Sequence, residues 1–319
     1  MAYADFKILN DFSYLTKTAT LQQKVDLFNA ATRGALVLQS RPVTGVFEDE
    51  VYWSEIAGLV ARRDFTSTAT ATAVELGQAQ ETAVRVGART PPIAAAPHLF
   101  NLIQQDPKTA GVIIGKQLAI GELRDMVNTA IAALVAATGV AAGTKYDYSA
   151  TGALDQLALN TGSALMGDQA DQIRCWIMHS KSRHALYANA LGNTAKLFEY
   201  GTVAVNQDYL GRVFISTDSP SLVLAGSPTK YYTLGLMENA AVVTSQPDFL
   251  QNVVTANGQE NIQMTIQSQW SYFLRLKGYT WDKANGGASP SNAALATGSN
   301  WDATYNDVKA SAGIQILTQ

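Results

Sequence analysis

The chain has 319 residues and a mass of 34.1 kDa, which is enough for one large domain or two ordinary ones. Its formal net charge of -3 excludes the basic excess by which proteins wrap or read nucleic acid directly. Its single cysteine excludes an internal disulfide and a cysteine-based zinc site. Only 15% of the residues are charged, against about 25% in a typical soluble domain, so we expect partners to cover much of the surface in an assembly.

The first 40 residues are expected to form an arm. They begin "MAYADFKILNDFSY", which lacks the apolar core of a secretion signal, so we expect cytosolic production. A helical stretch is predicted between Leu21 and Ala31, where Val25, Leu27 and Phe28 could form one apolar face. This face is too small to make a core of its own, so the arm must lie on another part of the protein.

A short helix followed by a β-ribbon is predicted next. Residues 49–62 begin with acids and end with arginine, the order that suits a helix dipole. Residues 66–90 alternate small, β-branched and polar side chains, which predicts two strands that turn between Gly77 and Gln80. Because this ribbon has almost no large apolar side chains, it needs another surface to lie on.

A very long helix is predicted after the proline-rich "RTPPIAAAPH". Apolar residues recur at steps of three and four from Thr109 to Ala137, which predicts a helix of about 29 residues and ~43 Å that ends at Gly139. The uncharged span 126–143 is mostly alanine and lacks the large apolar side chains of a membrane-spanning helix, so we expect a buried helix instead.

From Asp155 onward the pattern is a mixture of helices and strands. The expected elements are, in chain order, a helix pair or broken helix in "DQLALNTGSALMGDQADQI", a strand in "RCWIMHS", a short helix ending at Gly192, a strand in "GRVFISTD", a strand with a short helix or bulge in "KYYTLGLMENAAVVTSQ", and long strands in "ENIQMTIQSQWSYFLRLKGYTWD". The stretch "KANGGASPSN" predicts a linker to the last segment.

The densest set of reactive side chains lies in "RCWIMHSKSRHALYANAL". Cys175 and His179 would lie roughly 13 Å apart on a strand, and His184 follows five residues later, too far round a helix to share a face with His179. We therefore interpret Cys175 as a buried structural residue and expect Ser180 or Ser182 to cap the following helix. His98 stands alone after the prolines and is a weaker candidate.

Other kinds of site have no support in the sequence. The chain contains no P-loop, GxGxxG, GxSxG or HExxH motif. Asp168 and Asp171 could lie on one helix face but lack further metal ligands, so a solvated face is the preferred interpretation. We therefore predict no catalytic residue, no cofactor and no metal site. An unrecognised enzyme, built from distant histidines and acids, remains the third alternative for function.

The order of the parts is more informative than any one residue. It resembles the major capsid protein of tailed double-stranded DNA phages, the Hong Kong ninety-seven-type capsid fold. "IAGLVARRD" and "VRVGARTPPI" resemble the flanks of that family's extended loop. "IRCWIMHSKSRHALYANAL" and "LGRVFISTDSP" resemble its axial-domain strands and helix, and "YYTLGLMENAAVV" and "NWDATYNDVKASAGIQI" resemble its later segments. The resemblance covers nearly the whole chain, and no single motif in it is specific.

The resemblance implies an α+β fold with six segments. They are an N-terminal arm (1–45), the start of the peripheral domain with an extended β-hairpin loop (46–107), the long spine helix of that domain (108–145), an axial α/β domain (146–245), returning peripheral strands (246–285) and a C-terminal segment (286–319).

The resemblance also implies a function and partners. The chain would be a coat protein, not an enzyme, that forms hexamers and pentamers of an icosahedral shell around double-stranded DNA, without sequence-specific DNA binding or a membrane. The shell would assemble in the bacterial cytoplasm as a precursor and mature by expansion into the virion capsid. A separate scaffolding protein would take part, since the arm is short, together with a portal and, as an optional partner, a decoration protein. An encapsulin-like compartment is the alternative.

The loop is expected to supply contacts between subunits. Some members of the resembled family crosslink through a lysine in this loop, but residues 41–107 contain none, so that chemistry is not expected here. Arginines suit paired salt bridges with carboxylates across an interface. The predicted contact residues are Arg62, Arg63, Asp64, Arg85 and Arg89.

Overall fold

The computed structural model describes residues 3–53, 60, 62–63, 65–70, 77–95, 106–192, 211–256 and 263–319. The helices in these ranges are α1 (Tyr3–Ala31), α2 (Pro107–Val140), α3 (Gln156–Ser163), α4 (Ser180–Gly192) and α5 (Asn292–Leu295). The strands are β1 (Leu36–Ser40), β2 (Phe47–Trp53), β3 (Gln78–Arg89), β4 (Ile93–Ala95), β5 (Lys145–Asp147), β6 (Cys175–Met178), β7 (Val213–Ser216), β8 (Val223–Leu224), β9 (Lys230–Leu236), β10 (Ala241–Ser245), β11 (Leu250–Ala256), β12 (Gln263–Leu276), β13 (Tyr279–Trp281), β14 (Trp301–Ala303) and β15 (Gly313–Thr318).

The described strands form two sheets. The first follows the order β1-β10-β12-β13-β14, and β12 also pairs with β3, β4 and β11, while β2 pairs with β3. The second follows the order β5-β15-β9-β6-β7, with β8 on β9. Two of these placements cut across the predicted segments: β10 lies in the first sheet, and β15, from the C-terminal segment, lies inside the second. The division into domains itself stays a prediction.

The long helix α2 joins the two sheets through one apolar core. Asp106 begins it by accepting a hydrogen bond from the Thr109 N–H at 3.1 Å, with Pro107 at the first helical position. Met126, Ile131 and Leu134 are buried on α2 in a cluster with side chains from both sheets. Among the described residues, α2 is the one helix long and apolar enough to cross a membrane, and it forms the core of the fold instead. The predicted buried helix is confirmed, with longer bounds.

Helix α1 packs closely along α2. A Cβ atom at Gly111 would lie 2.7 Å from the Leu9 carbonyl oxygen, and one at Gly115 would lie 2.5 Å from the Ser13 carbonyl oxygen. Glycine at both positions therefore lets the two backbones approach each other. The predicted arm does lie on another part of the protein, but its helix starts at Tyr3 rather than Leu21.

The last turns of α1 cover the edge strand β1. The Asn29 carboxamide donates to the Leu38 carbonyl at 2.8 Å and accepts from the Leu38 N–H at 2.9 Å. The Thr32 hydroxyl donates to the Leu36 carbonyl at 2.9 Å. These side chains take the place of a neighbouring strand, so they protect an edge that could otherwise pair with another chain.

Two predictions between residues 47 and 90 were wrong in the described part of the chain. Residues 49–53 belong to strand β2 and not to a helix. The ribbon partner of β3 is β2, since Thr66–Thr70, predicted as the other strand, contains no strand. Residues 54–59, 61, 64 and 71–76 lie outside the described residues.

The α/β part follows its predicted order, with two local differences. The broken helix, the strand β6, the helix ending at Gly192 and the strand β7 are confirmed. After β9 the chain makes a turn with Asn239 at φ 57° and enters β10, so the predicted short helix or bulge is a turn between two strands. The amide of Lys181 donates to His179 Nδ1 at 3.2 Å, so His179 takes the capping position predicted for Ser180 or Ser182.

Candidate assembly surface

The hairpin of β2 and β3 is the part of the structure that extends from the first sheet. Its register runs from Phe47 opposite Val84 to Trp53 opposite Gln78. Beyond Val84, β3 leaves β2 and pairs with β12, ending with Arg89 opposite Gln269. One strand therefore belongs to both the hairpin and the sheet, which fixes the direction in which the hairpin leaves the body of the protein.

Three consecutive acids of β2 hold the root of the hairpin. The ion pairs are Glu48 with Arg41, Asp49 with Lys283, and Glu50 with Arg275. The Lys283 Nζ atom lies 2.9 Å from Asp49 Oδ2, and this hydrogen bond holds the pKa of the Asp49 carboxyl below its ordinary value. Because side chains alternate along a strand, these pairs act on both faces of β2.

A second set of contacts joins β3 to β13 and to the turn before it. The Gly278 N–H donates to the Glu81 carboxylate at 2.7 Å, and the Thr82 N–H donates to the Thr280 hydroxyl at 3.0 Å. Burial raises the pKa of Glu81 above its ordinary value. Glu81 lines an open cavity of about 530 Å³ beside the hairpin root, together with Glu50 and Arg275.

A buried ion pair fixes α1 to α2. Lys17 Nζ lies 2.6 Å from Glu122 Oε2, and both side chains are more than nine-tenths buried. The Lys17 ammonium also lies 3.9 Å from the ring centroid of Phe249, in the segment before β11. Burial raises the pKa of Glu122 although the charge of Lys17 opposes this shift.

The predicted contact residues lie in two separate places. Arg62 and Arg63 are exposed, and the Arg63 guanidinium lies 5.1 Å from the ring centroid of Phe65. Asp64 lies outside the described residues. Arg85 and Arg89 project from the outer face of β3, opposite the core. Arg85 donates to Asp248 at 2.7 Å and to the Ser271 hydroxyl at 2.9 Å, so its charge is neutralised within the chain.

The segment at the end of the hairpin exposes large apolar side chains. Val60 is 88% exposed and Phe65 is 86% exposed. Residues 65–70 have no regular structure and every one of them is exposed. Among the described large apolar side chains these two are the most exposed, and they lie five residues apart, as on a surface that another protein could cover.

The cluster of Cys175 and the histidines is not arranged for chemistry. Cys175 is fully buried on β6, and burial raises the pKa of its thiol to about 12. His179 Nε2 lies 3.6 Å from Asp218 Oδ1, and its ring lies 5.1 Å from that of Tyr231. His184 is exposed one and a half turns into α4. His98 lies outside the described residues.

The described residues contain no group of three or more His, Cys, Asp or Glu side chains that could hold a metal ion. Asp168 pairs with Lys309 at 2.6 Å, and this contact holds the pKa of the aspartate below its ordinary value. Asp171 is exposed. The two acids therefore act as surface charges in the described part of the chain.

Comparison with known proteins identifies the family. A model of the Gp13-like family, described as major capsid protein 13-like, matches residues 5–315. The chain belongs to this major capsid protein family. It is thus a coat protein of a phage shell, and its place is the virion capsid. No curated protein matches it.

Solved phage capsids share the fold of this coat protein. The acidic stable capsid structure of Helicobacter pylori bacteriophage KHP30 is 9% identical, with a TM-score of 0.53, over 91% of this chain and 89% of that chain. The head structure of Helicobacter pylori bacteriophage KHP40 is 10% identical, with a TM-score of 0.51, over 89% and 88%. The capsid asymmetric unit of cyanophage Pam1 is 10% identical, with a TM-score of 0.51, over 86% and 85%. The predicted α+β capsid fold is confirmed.

The acids of β2 are the residues that sequence reasoning missed. The sequence pattern predicts a helix that begins at Asp49, but Asp49 and Glu50 lie on a strand and pair with Lys283 and Arg275, which are distant in sequence. Glu48 pairs with Arg41, in the loop just before the strand. The overlooked signal is the run Val51, Tyr52 and Trp53, because β-branched and aromatic residues favour strands.

Proposed function

We propose that copies of this coat protein form hexamers and pentamers and close an icosahedral shell around double-stranded DNA. The observation that carries this proposal is the exposed segment around Val60 and Phe65, which offers large apolar side chains beyond the chain's own core. The low charged fraction of 15% also suits a surface made mostly of contacts. Each contact can be weak because every subunit repeats it.

The proposal includes a path of assembly. The shell forms in the bacterial cytoplasm as a precursor, with a separate scaffolding protein and a portal, and expands as DNA enters. A decoration protein is an optional further partner. The hairpin and α1 would repack between two packed states, in which the ion pairs of Lys17 with Glu122 and of Asp49 with Lys283 would be broken or exchanged. The interior would hold DNA without sequence-specific binding, as the net charge of -3 favours. The protein would have no catalytic role.

Arg62 and Arg63 are proposed to form salt bridges with a neighbouring subunit. Both are exposed, so changing them together to glutamate leaves the chain soluble but reverses the charge at the contact. We expect the yield of closed shells in negative-stain electron microscopy to fall by about tenfold or more. The matched control replaces both with lysine, which keeps the charge and should retain most of the shells. Normal shells from the glutamate variant would refute the role of these arginines.

A further inference from the structure

Gly87 stands at a position where the chain itself does not require glycine. It lies in the interior of β3, opposite Ser271 of β12. Its φ lies outside the left-handed region, and a Cβ atom built on it would meet no described residue within 4 Å. Glycine weakens a strand because it adds no packing and loses more backbone freedom than other residues do. Neither strain nor crowding within one subunit therefore explains this residue.

The missing side chain leaves a trough on the outer face of the first sheet. Val86 and Ala88 point into the apolar core, so Arg85, Gly87 and Arg89 share the opposite face. The trough has a volume of about 420 Å³. Gly87 leaves its floor as bare backbone between the two arginines. Glycine inside a strand commonly marks a place where another backbone comes close.

Charge decides what kind of chain fits the trough. Arg85 is neutralised by Asp248 at 2.7 Å. Arg89 is exposed, and among the described residues no carboxylate lies within salt-bridge distance of it. Within the described part of the chain, the trough therefore presents one guanidinium without a carboxylate partner, beside bare backbone. A segment that brings a carboxylate to Arg89 would match both features.

A second copy of the coat protein is the occupant that suits these features. The chain has 26 acidic and 23 basic residues, so a neighbouring copy has carboxylates to spare. The trough also continues along β3 into the hairpin, which carries the proposed inter-subunit contacts. We propose that an extended segment of a neighbouring copy crosses the trough, with its backbone over Gly87 and a carboxylate on Arg89. This inference rests on the proposed function.

The test fills the trough without disturbing the subunit. Because a side chain at Gly87 has open space, Gly87→Leu should fold with an unchanged or slightly higher melting temperature. Closed shells should fall by about tenfold or more, because the obstruction is repeated in every subunit. Gly87→Ala should give an intermediate yield, and Arg89→Gln should lower the yield through the lost charge. Gly121→Ala is the matched control, since a Cβ there also meets nothing within 4 Å.

The outcomes separate this inference from the proposed function. The trough contact would be overturned if the wild type forms closed shells and both Gly87→Leu and Arg89→Gln form them in the same yield as the wild type. The shell proposal would then still stand. Failure of the wild type to assemble under every condition would overturn both. If Gly87→Leu proved unfolded by circular dichroism, an electron microscopy map of wild-type shells would decide. A neighbouring chain in contact with Gly87 is expected there, and open solvent over Gly87 would overturn the inference.

Discussion

Lys17 and Glu122 meet where water is almost excluded, and their geometry sets how α1 responds to pH. A buried ion pair gains Coulomb energy but loses the hydration of both charges, so its net contribution to stability can be small or negative. Here burial outweighs the attraction of Lys17 and raises the pKa of Glu122. Asp125, one turn further along α2, has its pKa raised by burial as well and accepts a hydrogen bond from Tyr272 at 2.9 Å.

The first prediction concerns stability against pH. The folded protein holds the Glu122 proton more tightly than the unfolded chain does, because burial raises the pKa of this carboxyl. The contribution of Glu122 to the free energy of unfolding is therefore fully present below its ordinary pKa of 4.5, and it is lost as the pH rises through the raised pKa. Glu122→Gln does not titrate. The free energy of unfolding of the wild type, relative to this variant, should therefore fall as the pH rises above about 4.5.

Urea unfolding at a series of pH values from 4 to 8, with both proteins in the same buffers, measures this difference. Asp49 and Asp248 have lowered pKa values, so they make the free energy of unfolding rise with pH. Their contribution is the same in both proteins and cancels in the difference between the wild type and the variant. A wild type that gained stability relative to Glu122→Gln with rising pH would show that Lys17 outweighs desolvation.

At the scale of elements, the contact between α1 and α2 depends on glycines that the hydrophobic pattern does not reveal. The apolar spacing of α2 predicts a long helix because it follows the helical period, and this signal is local. Gly111 and Gly115 are read only as weak helix formers in the sequence. Their function becomes clear when the backbone of α1 is seen to lie against them.

Glycine-to-alanine changes in α2 should have opposite signs at two positions. At Gly111 the added Cβ would lie 2.7 Å from a backbone oxygen of α1, so α1 must shift and we expect a loss of about 1–3 kcal/mol. At Gly121 the added Cβ meets nothing within 4 Å, so better helix propensity should add about 0.5–1 kcal/mol. Chemical denaturation measures both changes. Equal effects at the two positions would contradict the close contact of the helices.

The hairpin shows why the remaining elements could not be predicted from the sequence. The alternation of small, β-branched and polar side chains predicts that β3 is a strand. Which strand pairs with it depends on ion pairs between the acids of β2 and basic residues up to 234 residues away. Sequence spacing carries no information about such distant pairs. Likewise, the type of Arg85 and its place in the resembled loop predict an inter-subunit contact, and only the fold shows Asp248 beside it.

Reversing one charge pair tests the attachment of the hairpin. Asp49→Lys places two ammonium groups together and removes the acceptor of the Thr82 hydroxyl, so we expect a loss of about 1 kcal/mol, kept small by partial exposure of the pair. Adding Lys283→Asp should restore part of this loss. The double-mutant cycle by thermal unfolding gives the coupling energy, and a value of zero would show that the pair does not hold the hairpin.

At the scale of the whole molecule, the first sheet carries both the core and the surfaces proposed for assembly. Its inner face packs on α1 and α2, while its outer face presents the trough at Gly87 and leads into the hairpin. The sheet thus buries one face within the subunit, and we propose that neighbouring subunits contact the other. Of the reactive side chains predicted as a cluster, Cys175 is buried in the second sheet and His179 caps α4, both in structural roles.

The most direct test of this account is electron microscopy of the wild-type coat protein, expressed alone and with the genes that neighbour its own. We expect closed shells, or tubes built from hexamers, in which the hairpin of one subunit contacts the next. A protein that stays a monomer or dimer in every preparation would contradict the account.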